Sequence, residues 1–449
     1  MKSIRIIGAS DAGISAALRI REIDPKAEVT VMAADAYPNF SICGLPFYLS
    51  GEVADWRHLA HRSREEIEEN GIGLLLNHRA LSIDSKARQV HVQSDDGKTR
   101  EIGYDKLLIA TGAESVKPPI EGVNTDGVFF LRWMADSFAV KRFMDQKNPW
   151  RAIIIGGGYI GLEMADALTR KGISVTLMEA APEILTTLSP DLAGQIRAGL
   201  VSNGVQVITG QAVERISRDQ NALSVQTAAG QMQTTDMVLV AAGAKPAAGL
   251  AKSAGIETGI GGAIRVDRTM ATQAEDIWAA GDCVETWHRI LQANVYLPLG
   301  TTAHKQGRVA GENMLGGNCK FQGSLGTQAV KVFDRIAARP GLKAGEAAEA
   351  GFDPLTVPLT CDDHKAYYPG AQKLHIRITG DRSTSRLLGA QMVGHRKSEV
   401  AKRIDIFAAA LYHGMAVSEI AALDLSYTPP LSSPWDPVQM AAMQWGAKR

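Results

Sequence analysis

Paired cysteines are missing from this chain of 449 residues: Cys43, Cys283, Cys319 and Cys361 are scattered, with no CxxC step and no His-spaced companion. This argues against zinc or a disulfide framework and fits a reducing compartment. Neither sign of charge is in excess, since 48 Lys and Arg stand against 48 Asp and Glu. Nothing therefore points to a nucleic acid or an anionic membrane as partner. No apolar run approaches the roughly 20 residues that cross a bilayer. Met1-Lys2-Ser3 leads directly into Ile4-Arg5-Ile6-Ile7 without an apolar leader stretch, so the expected location is cytoplasmic. Low-complexity tracts are absent too, and the length exceeds what one core supports, which predicts two or three domains.

What the sequence does contain is one pattern twice. A strand at 4–7 runs into Gly8-Ala9-Ser10-Asp11-Ala12-Gly13, an Ala-rich amphipathic helix to Ile23 and a second strand at 28–32. This is a βαβ dinucleotide unit with Ser10 in place of the middle glycine. The acid expected after the second strand is replaced by Ala33 and Ala34, leaving Asp35 as the nearest substitute. The second copy is complete. Ala152-Ile153-Ile154-Ile155 precedes Gly156-Gly157-Gly158-Tyr159-Ile160-Gly161, a helix to Lys171 and a strand ending at Glu179. Gly156, Gly158 and Gly161 give the full fingerprint, and the Glu179 carboxylate is placed to accept both ribose hydroxyls. No Lys, Arg or His lies between Ala180 and Thr187 to receive a 2′-phosphate, so NADH is expected over NADPH.

Two fingerprints predict two dinucleotides, a flavin and a nicotinamide. Apolar strands that end in tight turns support both units: one ends at Thr111 and Gly112, one at Gly243, and one in Ala279-Ala280-Gly281-Asp282. Asp282 would meet a ribityl chain or a phosphate-bound water. Because that last turn follows the second unit, the FAD domain is expected to be discontinuous, 1–112 and 246–322, around an NAD domain at 113–245. Strands at 329–333, 374–378 and 387–393 and an amphipathic helix at 400–413 form a third domain, 323–449, without a fingerprint. Closely after the first unit comes Asn39-Phe40-Ser41-Ile42-Cys43-Gly44-Leu45-Pro46-Phe47. Pro46 reads as the first turn of a helix, whose positive end would favour the Cys43 thiolate.

These residues resemble, from end to end, the pyridine nucleotide-disulfide oxidoreductases that bind FAD and NAD(P). They resemble in particular the single-cysteine branch that holds coenzyme A-disulfide reductases, NADH-dependent persulfide reductases, NADH oxidases and NADH peroxidases. Cys43, Gly44 and Pro46 match the branch motif SFxxCGxPY, whereas Asn39, Ile42 and Phe47 depart from its Ser, Asn and Tyr. The resemblance implies an α/β fold with two Rossmann-like dinucleotide-binding domains and a C-terminal α+β dimerisation domain, assembled as a homodimer. It implies electron flow from NADH through FAD to Cys43, which reduces a low-molecular-weight disulfide or persulfide. Tyr367, in Tyr367-Tyr368-Pro369-Gly370, and Tyr427, in Tyr427-Thr428-Pro429-Pro430, match segments that the partner subunit lays over the active cysteine. Tyr159 and Glu163 would sit beside the nicotinamide, and Arg19 and Arg21 match residues that hold coenzyme A phosphates. Glu22 and Ile42 depart from that pattern and weaken a polyanionic substrate's grip. Oxidases and peroxidases of the branch carry a His where Asp11 stands here. Two alternatives stay open: an oxidase or peroxidase cycling through a cysteine sulfenic acid, and a redox-sensing or electron-transfer flavoprotein with a protein partner.

Overall fold

The computed structural model describes residues 3–220 and 222–449. Two five-stranded parallel sheets share one plan. In the first, the order is Ile277–Ala279, Lys106–Ile109, Ser3–Ile7, Glu28–Met32, Ile72–Leu75. In the second it is Val128–Phe130, Met237–Val240, Arg151–Ile155, Ser174–Glu179, Gln206–Thr209. Both central strands read as short apolar runs, as strands covered on both faces must; Ile4, Ile6, Ile153 and Ile154 are all buried. Each sheet carries a three-stranded antiparallel meander, 78–103 beside the first and 213–235 beside the second. The fifth strand differs in origin. The first sheet receives it from far downstream, and the second from just upstream.

The chain passes between the two units through a two-stranded ladder, Ala113–Ser115 against Ala244–Pro246. Thr111 Oγ1 closes it by donating to Ala247 O at 2.7 Å. Helix Gly300–Met314 lies against helix Asp11–Ile23. Gly307 and Gly311 allow this close approach, because a Cβ at either would strike the backbone at Ala12 or Ala16. The remainder of the chain forms an antiparallel sheet, Gln328–Val332, Arg335–Arg339, Leu387–His395, Lys373–Asp381, Pro354–Asp362. Helices Val400–His413 and Pro437–Lys448 cover it, burying Phe407 and Trp445. Among the described residues no helix is long and apolar enough to cross a membrane.

Candidate active site

Each Gly-rich turn is shaped by contacts that only glycine permits. Gly8 and Gly156 have φ near +110°, and a Cβ on Gly13 or Gly161 would fall on the carbonyl of Gly8 or Gly156. Gly158 is different, since a Cβ there would meet nothing within 4 Å. The protein itself does not require glycine at that position, but a pyrophosphate approaching the backbone does. Glu179 stands opposite: Gly157 N–H donates to its Oε2 at 2.6 Å and Ala181 N–H to its Oε1 at 2.8 Å. The acid thus braces the turn while keeping lone pairs for a ribose. In the first unit Asp35 accepts from Tyr37 N–H at 3.0 Å, and burial raises its pKa.

The segment carrying Cys43 is pinned to the first turn. Asn39, buried and left-handed at φ 58°, donates its N–H to Ala9 O at 2.7 Å. Asn tolerates this region better than most residues, a physical reason for its place in the motif. Its buried Oδ1 has no hydrogen-bond partner within the protein, nor has the buried hydroxyl of Tyr296 near Asp282. These orphaned atoms, one beside the first turn and one near Asp282, suit a bound polar group. Cys43 lies in the 3-10 turn Ile42–Gly44, followed by the short helix Leu45–Ser50 with Pro46 in its first turn.

At Cys43 the surroundings work against the expected thiolate bias. Part of the residue is exposed, yet burial around the sulfur, then the carboxylates of Glu163 and Asp11, push the thiol above its ordinary value, with Arg132 opposing. Burial is the largest of these causes, ahead of the carboxylates. Burial also pushes Glu163 up to about 7, against the pull of Lys331. Arg132, which sequence reasoning missed, binds Asp282 at 2.7 Å and Ala113 O at 3.2 Å. A lone Arg after an apolar strand offers no local signal. The structure thus brings Cys43, Glu163 and Asp282 into one electrostatic neighbourhood, close to Thr111 and Gly112 at the domain crossover. Tyr159, at the start of helix Tyr159–Arg170, is within hydrogen-bond reach of Thr187 Oγ1 at 3.2 Å. Cys283 is buried against Ile109 O and Ala280 O, and all four cysteines are free.

Other candidates lie elsewhere. Tyr367 and Tyr427 are exposed, and the structure does not bring either to Cys43 of the same chain. It does bring their segments together, by Lys365 N–H to Pro429 O at 3.3 Å. Arg403, also unforeseen, clamps both: its guanidinium is buried and donates to Asp363 O, Leu431 O and Asp436 Oδ2. Leu431 and Trp435, which follow Tyr427, are exposed as well. Arg19 and Arg21 point different ways. Arg19 binds Glu312 at 2.6 Å and Glu22 at 3.0 Å, and Glu22 also binds Arg308. Arg21 donates to Asn70 O and Ala27 O, a tie to the neighbouring turn. The 180–187 loop, free of cations in sequence, receives them from the third domain: Lys343 donates to Thr186 O at 2.6 Å and Arg339 to Thr187 O at 2.5 Å.

Two parallel sheets with paired Gly-rich turns, a lone cysteine pinned to the first and a separate antiparallel domain define a two-dinucleotide-binding oxidoreductase. The chain belongs to the pyridine nucleotide-disulphide oxidoreductase family, whose profile matches residues 2–307, and residues 327–437 match that family's dimerisation domain. It is 33% identical over 441 residues, 98% of each chain, to the NAD(P)H coenzyme A polysulfide/persulfide reductase of Pyrococcus horikoshii. It is 29% identical to the coenzyme A disulfide reductase of Staphylococcus haemolyticus, again over 98% of each chain. The structure of a NAD-dependent persulfide reductase from A. fulgidus superposes with a TM-score of 0.95 at 37% identity, covering 100% of this chain and 83% of that one.

Proposed function

We propose that the protein is an FAD-dependent NADH:disulfide or persulfide reductase working through Cys43 alone. The observation that carries this reading is a free cysteine tethered to the first dinucleotide turn and ringed by Glu163, Asp11, Arg132 and Asp282, with no second thiol paired to it. The flavin unit comprises 1–112 and 246–322, the nicotinamide unit 113–245 and the interface domain 323–449. Flavin, when bound, supplies the passage of a hydride's two electrons from nicotinamide to sulfur. Gly8 and Gly13 shape its pyrophosphate seat, Asp35 serves its ribose, and Asp282, held by Arg132, serves its ribityl side. Gly156, Gly158, Gly161 and Glu179 hold the nicotinamide dinucleotide, with Tyr159 and Glu163 at the reacting end.

The Cys43 thiolate attacks a substrate disulfide RS–SR, forming Cys43–S–SR as RS⁻ departs; two electrons later release the second RS⁻ and restore Cys43. With a persulfide the same attack expels sulfide or the thiol. Glu163, near half protonation at neutral pH, supplies or takes the proton that keeps charge from accumulating beside the sulfur. Tyr367 and Tyr427 of a partner subunit donate to the departing thiolate. Acidic partners occupy Arg19 and Arg308, which favours a thiol smaller or less anionic than coenzyme A. The test is Cys43→Ser: flavin binding and reduction by NADH persist, while turnover of coenzyme A disulfide and of small persulfides is abolished. Equal turnover by variant and wild type overturns the reading, and retention of NADH-driven reduction of a protein acceptor establishes the electron-transfer alternative.

A further inference from the structure

Asp11 has a surrounding that its position in the chain does not announce. The turn places it at the start of helix Asp11–Ile23. Helix Gly300–Met314, drawn close by its glycines, brings His304, whose Nε2 stands 3.3 Å from Asp11 Oδ1. The 59–61 segment, tied to the Cys43 loop by His61 N–H donating to Asn39 O, brings His61 Nε2 to 3.9 Å from the same oxygen. One ligand atom from each of the three residues lies within 4.8 Å of the others. Asp11 Oδ1 is itself cut off from solvent and accepts no well-formed hydrogen bond. His304 Nδ1 is 2.8 Å from Ser15 Oγ, a contact that fixes the ring and leaves Nε2 aimed at the carboxylate. Metal-bound histidines are oriented in this way, by a hydrogen bond at their other nitrogen.

We propose that Asp11, His61 and His304 form a binding site for one divalent transition-metal cation of the zinc class. Two imidazoles and one carboxylate suit a borderline cation, and three protein ligands leave a fourth position open. Both histidines are about half exposed, with side-chain exposures of 44% for His61 and 43% for His304, so a cation has a path in. Asp11 favours a proton on His304 and Arg62 adds a positive charge nearby, so a bound cation must displace that proton and outweigh that charge. The three ligands come from three distant stretches of chain, so no spacing in the sequence signals them.

The test is equilibrium dialysis of the flavin-loaded enzyme against Zn²⁺ after treatment with chelator, with bound metal measured by elemental analysis. Wild type and Cys43→Ser should each retain one Zn²⁺ per chain. Ser15→Ala, which removes only the orienting hydrogen bond, should weaken binding by about tenfold, and His61→Ala and His304→Ala by more. His61 is exposed, so its variant keeps the fold, and an unchanged flavin spectrum verifies this. No Zn²⁺ retained by wild type, equal affinity in wild type and both histidine variants, or loss only in Cys43→Ser would each overturn the proposal.

Discussion

Glu163 is a residue whose environment departs far from what its identity suggests. Its pKa rises to about 7, with burial as the main cause, so the folded chain binds a proton near neutrality that the unfolded chain has already lost. The resulting stabilisation is fully present below the unfolded value near 4.5 and is lost as pH rises through 7. Glu163→Gln should therefore leave stability unchanged at pH 4.5 and raise it at pH 8.5 by up to about 3 kcal/mol. Denaturation midpoints at the two pH values check this, and an equal shift at both would contradict it. Glu179 carries the second prediction at this scale. A charged acceptor to ribose hydroxyls is worth about 1.5–3 kcal/mol, so kcat/KM should favour NADH over NADPH by roughly ten- to a hundredfold. Lys343, on the neighbouring loop, is the residue to blame if the ratio is near one. Cys43, the glycines and Glu179 were legible because each belongs to a contiguous motif. Arg132 and Arg403 act through partners distant in the chain, so nothing in their own neighbourhood marked them.

Among the elements, helices Asp11–Ile23 and Val400–His413 stand where their apolar period predicts. The strands Arg335–Arg339 and Pro354–Asp362 and the helix Pro437–Lys448 were not foreseen. The first is short and bounded by charges, the second begins with Pro, and the third follows a Pro-rich run that reads as loop. The 78–103 meander escaped for another reason: its outer strands, such as His78–Asp84, are largely exposed and polar. Arg403 shows how one helix governs two loops. Breaking a buried ion pair by removing one partner costs about 3–5 kcal/mol, so Arg403→Met should lower the thermal midpoint. The same change should open 363–372 and 424–436 to limited proteolysis together, since one guanidinium holds both. Cleavage of only one segment, or none, would show that the loops stand by themselves.

For the whole molecule, Tyr367, Tyr427, Leu431 and Trp435 are exposed, and in the proposed function a second copy related by a two-fold axis covers them. Mixing a Cys43→Ser chain with a Tyr367→Phe, Tyr427→Phe chain yields heterodimers with one site carrying both intact parts and one carrying neither. These should regain about half of wild-type sulfur turnover per dimer. Activity no greater than the sum of the two parents, with subunit exchange demonstrated by mass, would place the tyrosines outside the reaction of the partner.

The unequal origin of the two fifth strands fixes an order of assembly during synthesis. The second sheet is complete once Met237–Val240 has emerged, because all its strands lie between 128 and 240. The first sheet, though begun at residue 3, waits for Ile277–Ala279 and then for the helix at 300–314 that packs on its own first helix. The half of the molecule whose synthesis starts first is thus completed second, after the strands of the later-made sheet have all emerged.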